Sequence, residues 1–441
     1  MKKKLPLMAA PPRAEEAARL AGLSLQPRLP LDDLEGAIRD GLMAFSCATG
    51  LVVLAEMMEQ ERTALCGPKG KHDRERFAER NGAAPGSVVL GGRRVPISRP
   101  RAVRSDGGGE VGLESYAVFS TADLLSELAL ERMLAGVATR RHRLVAEPIG
   151  AELEQVANGD SKSAISRRFT QATAAKLAEL TSRSLSGLDV AVMMIDGIVF
   201  ATCCVVVALA ILADGTKVPV GLWEGDTENT VVVTALLADL VERGLGCEKG
   251  VLFVLDGSKA LGSGVQKVFG ERALTQRCTL HKRRNVSGYL EKSKARLIDR
   301  QLAKAFNDPD PARGLRVARG IATQLEAQHP SAAASLREGL EEMFTVRRLG
   351  ASDRLARSLS CTNAVESTIS VVQRLCGRVT NWKDARMVRR WVGVGMLEAE
   401  RSFRRIKGCS DMPAFTTKIR AEVARRQRAT IGAAEVSDAV A

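Results

Sequence analysis

A chain of 441 residues is long enough for two to four domains with sizeable cores, and 45% hydrophobic content excludes a disordered protein. Its 65 Lys and Arg against 51 Asp and Glu leave a net charge of +14, which calls for an anionic partner; nucleic acid leads, with a membrane surface or plain solubility as the alternatives. Aromatic residues, at 4%, are too few for a base-stacking platform, and nine cysteines without a Cys-x-x-Cys pair read as reduced thiols of a cytoplasmic protein.

Residues 1–31 are Pro- and Ala-rich and are expected to form a mobile tail. After Met1-Lys2-Lys3-Lys4, the apolar run Leu5 to Ala10 is too short for a secretory signal. A helix is predicted over Asp32 to Arg62. Ser87 to Arg101 reads as a Gly91-Gly92 hairpin. Its second arm and the residues just beyond it carry Arg93, Arg94, Arg99, Arg101 and Arg104 with no acidic residue, a strip suited to phosphates or simply a solvated face. Ser120, with Asp123 three residues on, is expected to cap a helix with Leu124, Leu128 and Val137 on its apolar stripe, ending in Arg140-Arg141-His142-Arg143. Pro148 to Ala157 gives a further helix, Asn158-Gly159-Asp160 a turn, and Ser161 the cap of the next helix. There Lys162, Ser163, Ser166, Arg167 and Arg168 supply what a helix-turn-helix recognition helix needs for base edges and phosphates, although many helical hairpins share the pattern. Residues 32–143 are thus expected to be a helical and basic-hairpin DNA-binding region, and 144–187 a helix-turn-helix.

From Val190 the pattern changes. The apolar run Val190 to Ile195 is closed by Asp196. Gly197 to Ala213 then carries no charge, which is the lower limit for a membrane span. Its valines, Cys203-Cys204 and the Asp214-Gly215 turn before Thr216 to Trp223 favour a buried hairpin instead. A helix (Glu228 to Arg243), a strand (Val251 to Leu255, closed by Asp256), a helix (Ser258 to Phe269) and a strand (Ala273 to Arg277) come next. Three consecutive strands and then alternation predict an α/β, ribonuclease H-like core rather than a Rossmann layer. Residues 283–360 read as an all-helical insertion, so 188–282 and 361–408 would be the two parts of the core and 409–441 a C-terminal tail. Helices are predicted over Ala364 to Leu375 and Lys383 to Arg405, and ten Lys/Arg against Asp384, Glu398 and Glu400 between positions 374 and 407 make a basic face.

Asp196 and Asp256 are each followed by glycine, which lets the backbone turn beside the carboxylate, and Glu366 sits where a helix starts. Taken singly, each is an ordinary strand-end or capping acid. A bare charge at the end of a buried strand is nevertheless costly, and three carboxylates in the order strand, strand, helix suit Mg²⁺, with Mn²⁺ as a substitute. Two such ions roughly 3.5–4 Å apart clamp the attacking and leaving oxygens of a phosphodiester displacement. Chemistry that cuts or joins nucleic acid is expected. No phosphate-cradling loop is present: Leu261 to Lys267 lacks the spacing and Asp106-Gly107-Gly108-Gly109 precedes no suitable helix, so no ATP is expected. Cys278 and His281 would need two more ligands for a zinc site, with Cys247 and His329 recruited only by accident of folding. Zinc is therefore not expected.

Gln276-Arg277-Cys278-Thr279-Leu280-His281-Lys282-Arg283-Arg284-Asn285 resembles the Cys-x-x-His-x-x-Arg-Asn hallmark of Mutator-type bacterial insertion-sequence transposases. Glu242-Arg243-Gly244-Leu245, Val254 to Leu261 and Thr362-Asn363-Ala364-Val365-Glu366-Ser367 are similar to further family elements in the same order. The resemblance covers roughly residues 40 to 408. It implies a DDE triad of Asp196, Asp256 and Glu366, with Asp256 60 positions after Asp196 and Glu366 another 110 on. It also implies DNA strand cleavage and transfer at terminal inverted repeats, a dimer or larger assembly on double-stranded DNA, and a copying route through a circle. His281, Arg284 and Asn285 would lie near the DNA. Two other readings stay open: a helix-turn-helix regulator with a decayed core, and a ribonuclease H-like nuclease acting on RNA hybrids.

Overall fold

The computed structural model describes residues 34–71, 76–246 and 248–438. The tail expected over 1–31, Asp32 and Cys247 fall outside them. Contacts divide the chain into two units, one ending at Ala172 and the other starting at Thr173.

The first unit opens with α1 (Leu34–Cys66), followed by an antiparallel hairpin of β1 (Ala78–Leu90) and β2 (Arg93–Arg104) with a short β3 (Glu110–Val111) beside β2. Gly91 and Gly92 both sit at positive φ, 54° and 76°, which a two-residue turn of this hand demands. Segment Gly41–Cys66 of α1 is long and apolar enough to cross a membrane by length and composition. Leu54 and Met58 of that segment are buried against Val88 and Leu113, so it serves the hairpin as a core helix. Next come α2 (Glu114–Ser120) and α3 (Ala122–Leu134). The helix predicted from Ser120 to the arginine cluster is therefore displaced. Thr121 is the residue before α3, and the Ser120 hydroxyl donates to the Ala117 carbonyl instead. Gly136, at φ 92°, ends the helix early: its N–H donates to Met133 O and that of Val137 to Arg132 O, the paired bonds of a glycine C-cap. Val137 is thus outside the helix, and His142 starts a 3₁₀ turn. The helix predicted from Pro148 is confined to α4 (Ala151–Val156), while Ser161 accepts the Ala164 N–H at 3.3 Å as the cap of α5 (Lys162–Ser182).

The second unit is built on a five-stranded sheet in the order β6-β5-β4-β7-β8, from β4 (Val190–Phe200), β5 (Cys203–Leu212), β6 (Lys217–Gly225), β7 (Val251–Leu255) and β8 (Ala273–Arg277). β4, β5 and β6 pair antiparallel, whereas β4–β7 and β7–β8 are parallel. The charge-free run forms the β4–β5 hairpin because β5 is buried on both faces from Cys203 to Ile211. Two helices, α6 (Thr230–Glu242) and α7 (Lys259–Phe269), bury Val233, Leu236, Leu240, Leu261 and Val265 in the core under Met193, Ile195 and Phe253. Then α8 (Thr279–Gly288), α9 (Lys292–Phe306), α10 (Pro311–Glu326), α11 (Pro330–Arg337), α12 (Thr345–Arg348) and α13 (Asp353–Leu359) make a helical segment, whose apolar centre includes Val286, Leu302, Ile321, Leu336 and Phe344. Buried Gln276 ties it to β8, donating to Met343 O and accepting the Val346 N–H.

The chain returns to the sheet through α14 (Asn363–Cys376) and α15 (Ala385–Glu400). Residues 409–438 are not a tail: α16 (Met412–Asp438) buries Met412, Phe415, Ile419 and Val423 and packs on β7 and β8. In the sequence this helix is hard to see, because an Arg-rich surface masks a sparse apolar stripe.

Candidate active site

The register of the parallel strands builds the site. Met193 pairs with Phe253 and Met194 with Val254. Carried two residues further, the same register sets Asp196 beside Asp256 at the edge where β7 stops, with neighbouring strands about 4.8 Å apart. Asp196 is not at the end of its own strand, because β4 continues to Phe200 against β5. It is at the end of the parallel pairing. The Gly197 N–H donates to Asp196 Oδ1 at 2.9 Å, and the Ser258 N–H to Asp256 Oδ1 at 2.8 Å.

The two glycines have different jobs. Gly257 takes φ 104°, the turn expected of it. Gly197 stays in extended strand and provides clearance, since a Cβ there would lie 2.5 Å from Glu228 Oε2. Glu228 is a carboxylate of this site that sequence reasoning passes over, since it lies just before a helix with no apolar run leading into it. Burial, with the Asp256 charge, holds its carboxyl above the ordinary range against a hydrogen bond from Ser258. Burial, then the charges of Asp256 and Glu366, push Asp196 up to about 7, opposed by the Gly197 N–H and His281. Several acids are thus crowded into one half-buried place, which a cation would relieve.

Glu366 is brought to this edge by α14, which packs on β4 and β5. Thr362, fully buried before the first turn, does not cap the helix; its hydroxyl donates to Glu366 Oε1 at 2.7 Å. It also lies 3.4 Å from both Cys278 Sγ and His281 Nδ1, and His281 Nε2 stands 3.7 Å from Glu366 Oε1. The backbone completes the bracket: the Cys278 N–H donates to Leu255 O and the Thr279 N–H to Ser360 O. The strand end carrying Asp256 and the helix carrying Glu366 are therefore fastened together through Cys278-Thr279-Leu280-His281. Ligand atoms of Cys278, His281 and Glu366 lie within 4.8 Å of one another, a three-donor group whose third member the sequence does not link to the other two. Hydrogen bonding to Cys278 raises His281 to about 9, making it a cation at neutral pH. Burial opposes ionisation of Cys278, but bonds from His281 and Thr362 outweigh it and lower the thiol. Arg284 and Asn285 are exposed on α8.

In the first unit, the N-terminal half of α5 buries Ile165 and Phe169 and exposes Lys162, Ser163, Ser166 and Arg167, so these four share a solvent face. Arg168 is turned inward and donates to Gly159 O. Arg93, only 4% exposed, pairs with Glu154 at 3.1 Å and Asp160 at 3.5 Å and does not face solvent. Arg94 donates to Ser87 Oγ. The strip is less positive than its sequence, because Glu110 pairs with both Arg99 and Arg101, and Asp106 with Arg104.

A mixed α/β unit with several acids at the switch between parallel and antiparallel strands, beside a Cys-x-x-His bracket with a buried cysteine, defines the class. The family model "Transposase, Mutator family" matches residues 35–405, and the chain belongs to that family. It is 28% identical over 211 residues to the transposase for insertion sequence element IS6120 of Mycolicibacterium smegmatis, covering 46% of this chain and 64% of that protein. It is 28% identical over 171 residues to the ISRM3 transposase of Rhizobium meliloti, covering 38% and 42%, and over 181 residues to the IST2 transposase of Acidithiobacillus ferrooxidans, covering 40% and 59%. The chain spans less than two thirds of the length of each of these relatives.

Proposed function

We propose that this protein is an insertion-sequence transposase that binds double-stranded DNA at element ends and uses Asp196, Asp256 and Glu366 for strand cleavage and strand transfer. The observation that carries the reading is the parallel register that sets Asp196 beside Asp256, with Glu366 clamped by Thr362 on a helix over the same sheet. The strand order with three antiparallel and two parallel strands supports a ribonuclease H-like core. The oxygen donors of Asp196, Asp256 and Glu366 fit Mg²⁺, or Mn²⁺ in its place, whereas Cys278, His281 and Glu366 offer three donors, one short of a tetrahedral zinc set. A pair of ions held by the three carboxylates would supply Lewis-acid activation of the attacking oxygen and charge neutralisation at the leaving one.

The chain's own residues do the rest. Thr362 fixes the Glu366 carboxylate, the Gly197 and Ser258 N–H groups orient the two aspartates, and cationic His281 offsets their charge. Water first cleaves one strand to free a 3′-hydroxyl, which then attacks a second phosphodiester. Bond energy is conserved in that exchange, so ATP is not required. Two ends must be held at once, which calls for a dimer or larger assembly.

The test is cleavage of labelled duplex carrying the inverted repeats that flank the gene, in Mg²⁺. Wild-type protein is expected to nick and join it. Asp196→Asn and Asp256→Asn should lose both activities while retaining end binding. Nicking by either variant at the wild-type rate would sink the assignment.

A further inference from the structure

A groove of about 1020 Å³ opens in the second unit beside the first turn of α14. Six cations line it: Lys217 from β6, Arg354 and Arg357 from α13, and Arg404, Arg405 and Lys407 from the loop after α15. Among the described residues, no carboxylate lines it. The floor is Asn363, Ala364 and Ser367 of α14, so the groove runs past the helix end that bears Glu366. Thr362 gives that end no side-chain cap, and although the Asn363 N–H is taken by the Cys361 sulfur, the positive end of the helix dipole adds to the pull of the six cations on an anion.

The cationic loop is held in place. Ile406 is buried between Arg405 and Lys407, its N–H donating to Gly215 O at 3.0 Å. The Ser358 hydroxyl donates to Lys407 O at 2.9 Å. Gly408, at φ 84°, presses so closely on α13 that a Cβ would lie 2.7 Å from Leu355 N. Arg405 is answered by Asp214 at 3.1 Å, and Lys217 lies over the Phe403 ring at 4.8 Å, while Arg354, Arg357, Arg404 and Lys407 are exposed. A small-molecule pocket is mostly apolar with a few convergent polar groups; this one is an open track of positive charge. Burial pushes Cys361 at its wall up to about 11, so that thiol stays protonated and is no nucleophile.

We infer that this groove is the track for the phosphate backbone of duplex DNA leading to Glu366, a sequence-independent contact separate from the basic residues of the first unit. The inference rests on the transposase reading for its partner. Phosphate contacts of this kind set affinity and its salt dependence, at about 0.9 in the log–log slope per contact in duplex DNA.

The experiment uses the full chain carrying Asp256→Asn, in EDTA, with a labelled 30-base-pair random duplex followed by fluorescence anisotropy from low to moderate salt. Adding Arg354→Ala, Arg357→Ala and Arg404→Ala together should reduce the slope by about 2–3 and weaken binding at least tenfold at low salt, with an unchanged melting temperature. An unchanged slope in a folded triple variant overturns the inference. So does a slope that falls only for single-stranded RNA of the same length. Because no cleavage is read, the two ideas fail separately: a lowered duplex slope alongside a wild-type protein that never cuts end DNA would remove the transposase reading and leave the groove standing.

Discussion

Thr362 shows how one hydroxyl organises the carboxylate edge. It is fully buried, donates to Glu366, and sits within reach of Cys278 and His281. Hydrogen-bond partners that hold a metal-binding carboxylate in place typically change metal affinity by about 10–100-fold. Thr362→Val keeps the shape and removes the donor, so Mn²⁺ affinity by calorimetric titration should fall by about that factor, and Thr362→Ser should restore it. Equal affinity for Val and wild type would remove Thr362 from the site. The same titration carries a pH arm. With Asp196 raised to about 7, the metal-free fold favours the protonated carboxyl, so its contribution to stability is present at low pH and is lost as pH rises through about 7. A cation bound there as proposed would have to displace that proton, so affinity should rise from pH 6 to pH 8. These residues differ in how far the sequence alone betrays them. Asp196 and Asp256 stand out as candidates because each closes an apolar run. Glu228 does not, since only the fold brings it over Gly197.

At the scale of elements, the hairpin and α5 divide the tasks proposed for DNA differently from their sequences. Glu110 sits between Arg99 and Arg101, two positions of a strip that is uniformly basic in sequence. Glu110→Gln should release both guanidinium groups, raise affinity for any duplex and steepen its salt dependence; weaker binding would mean the pairs position the strand instead. Ser163→Ala with Ser166→Ala, on the exposed face of α5, should instead narrow the gap between end and random duplex, because base edges carry specificity. The strands of the second unit, in their succession along the chain, are legible from apolar runs of the right length, as with β5 and β7, whereas their order in the sheet is not. Helix ends are harder. Gly136 stops α3 within a stripe that the sequence pattern carries on to the arginine cluster, since a glycine inside an apolar period leaves both continuation and termination open.

Across the whole second unit, α16 closes what the sheet leaves open. Its buried Phe415, Ile419 and Val423 lie on the side of β7 and β8, the strands that lead into Asp256 and Cys278. The fit is close: Gly250, at φ 87° just before β7, would put a Cβ 2.5 Å from Val423 Cγ2. A side chain there would meet both the wrong backbone region and an occupied space. Phe415, 2% exposed, is the largest of the three, and Phe415→Ala should cost about 3–5 kcal/mol of unfolding free energy. Urea denaturation followed by circular dichroism reads that loss directly, and a cost below about 1 kcal/mol would mean that α16 is a loosely attached appendage. The close contact is at Gly250, the end of β7 opposite Asp256, so the same variant should keep its Mn²⁺ affinity under conditions where it stays folded. A fall in metal affinity of the folded variant would mean instead that this packing reaches across the strand to the carboxylate edge.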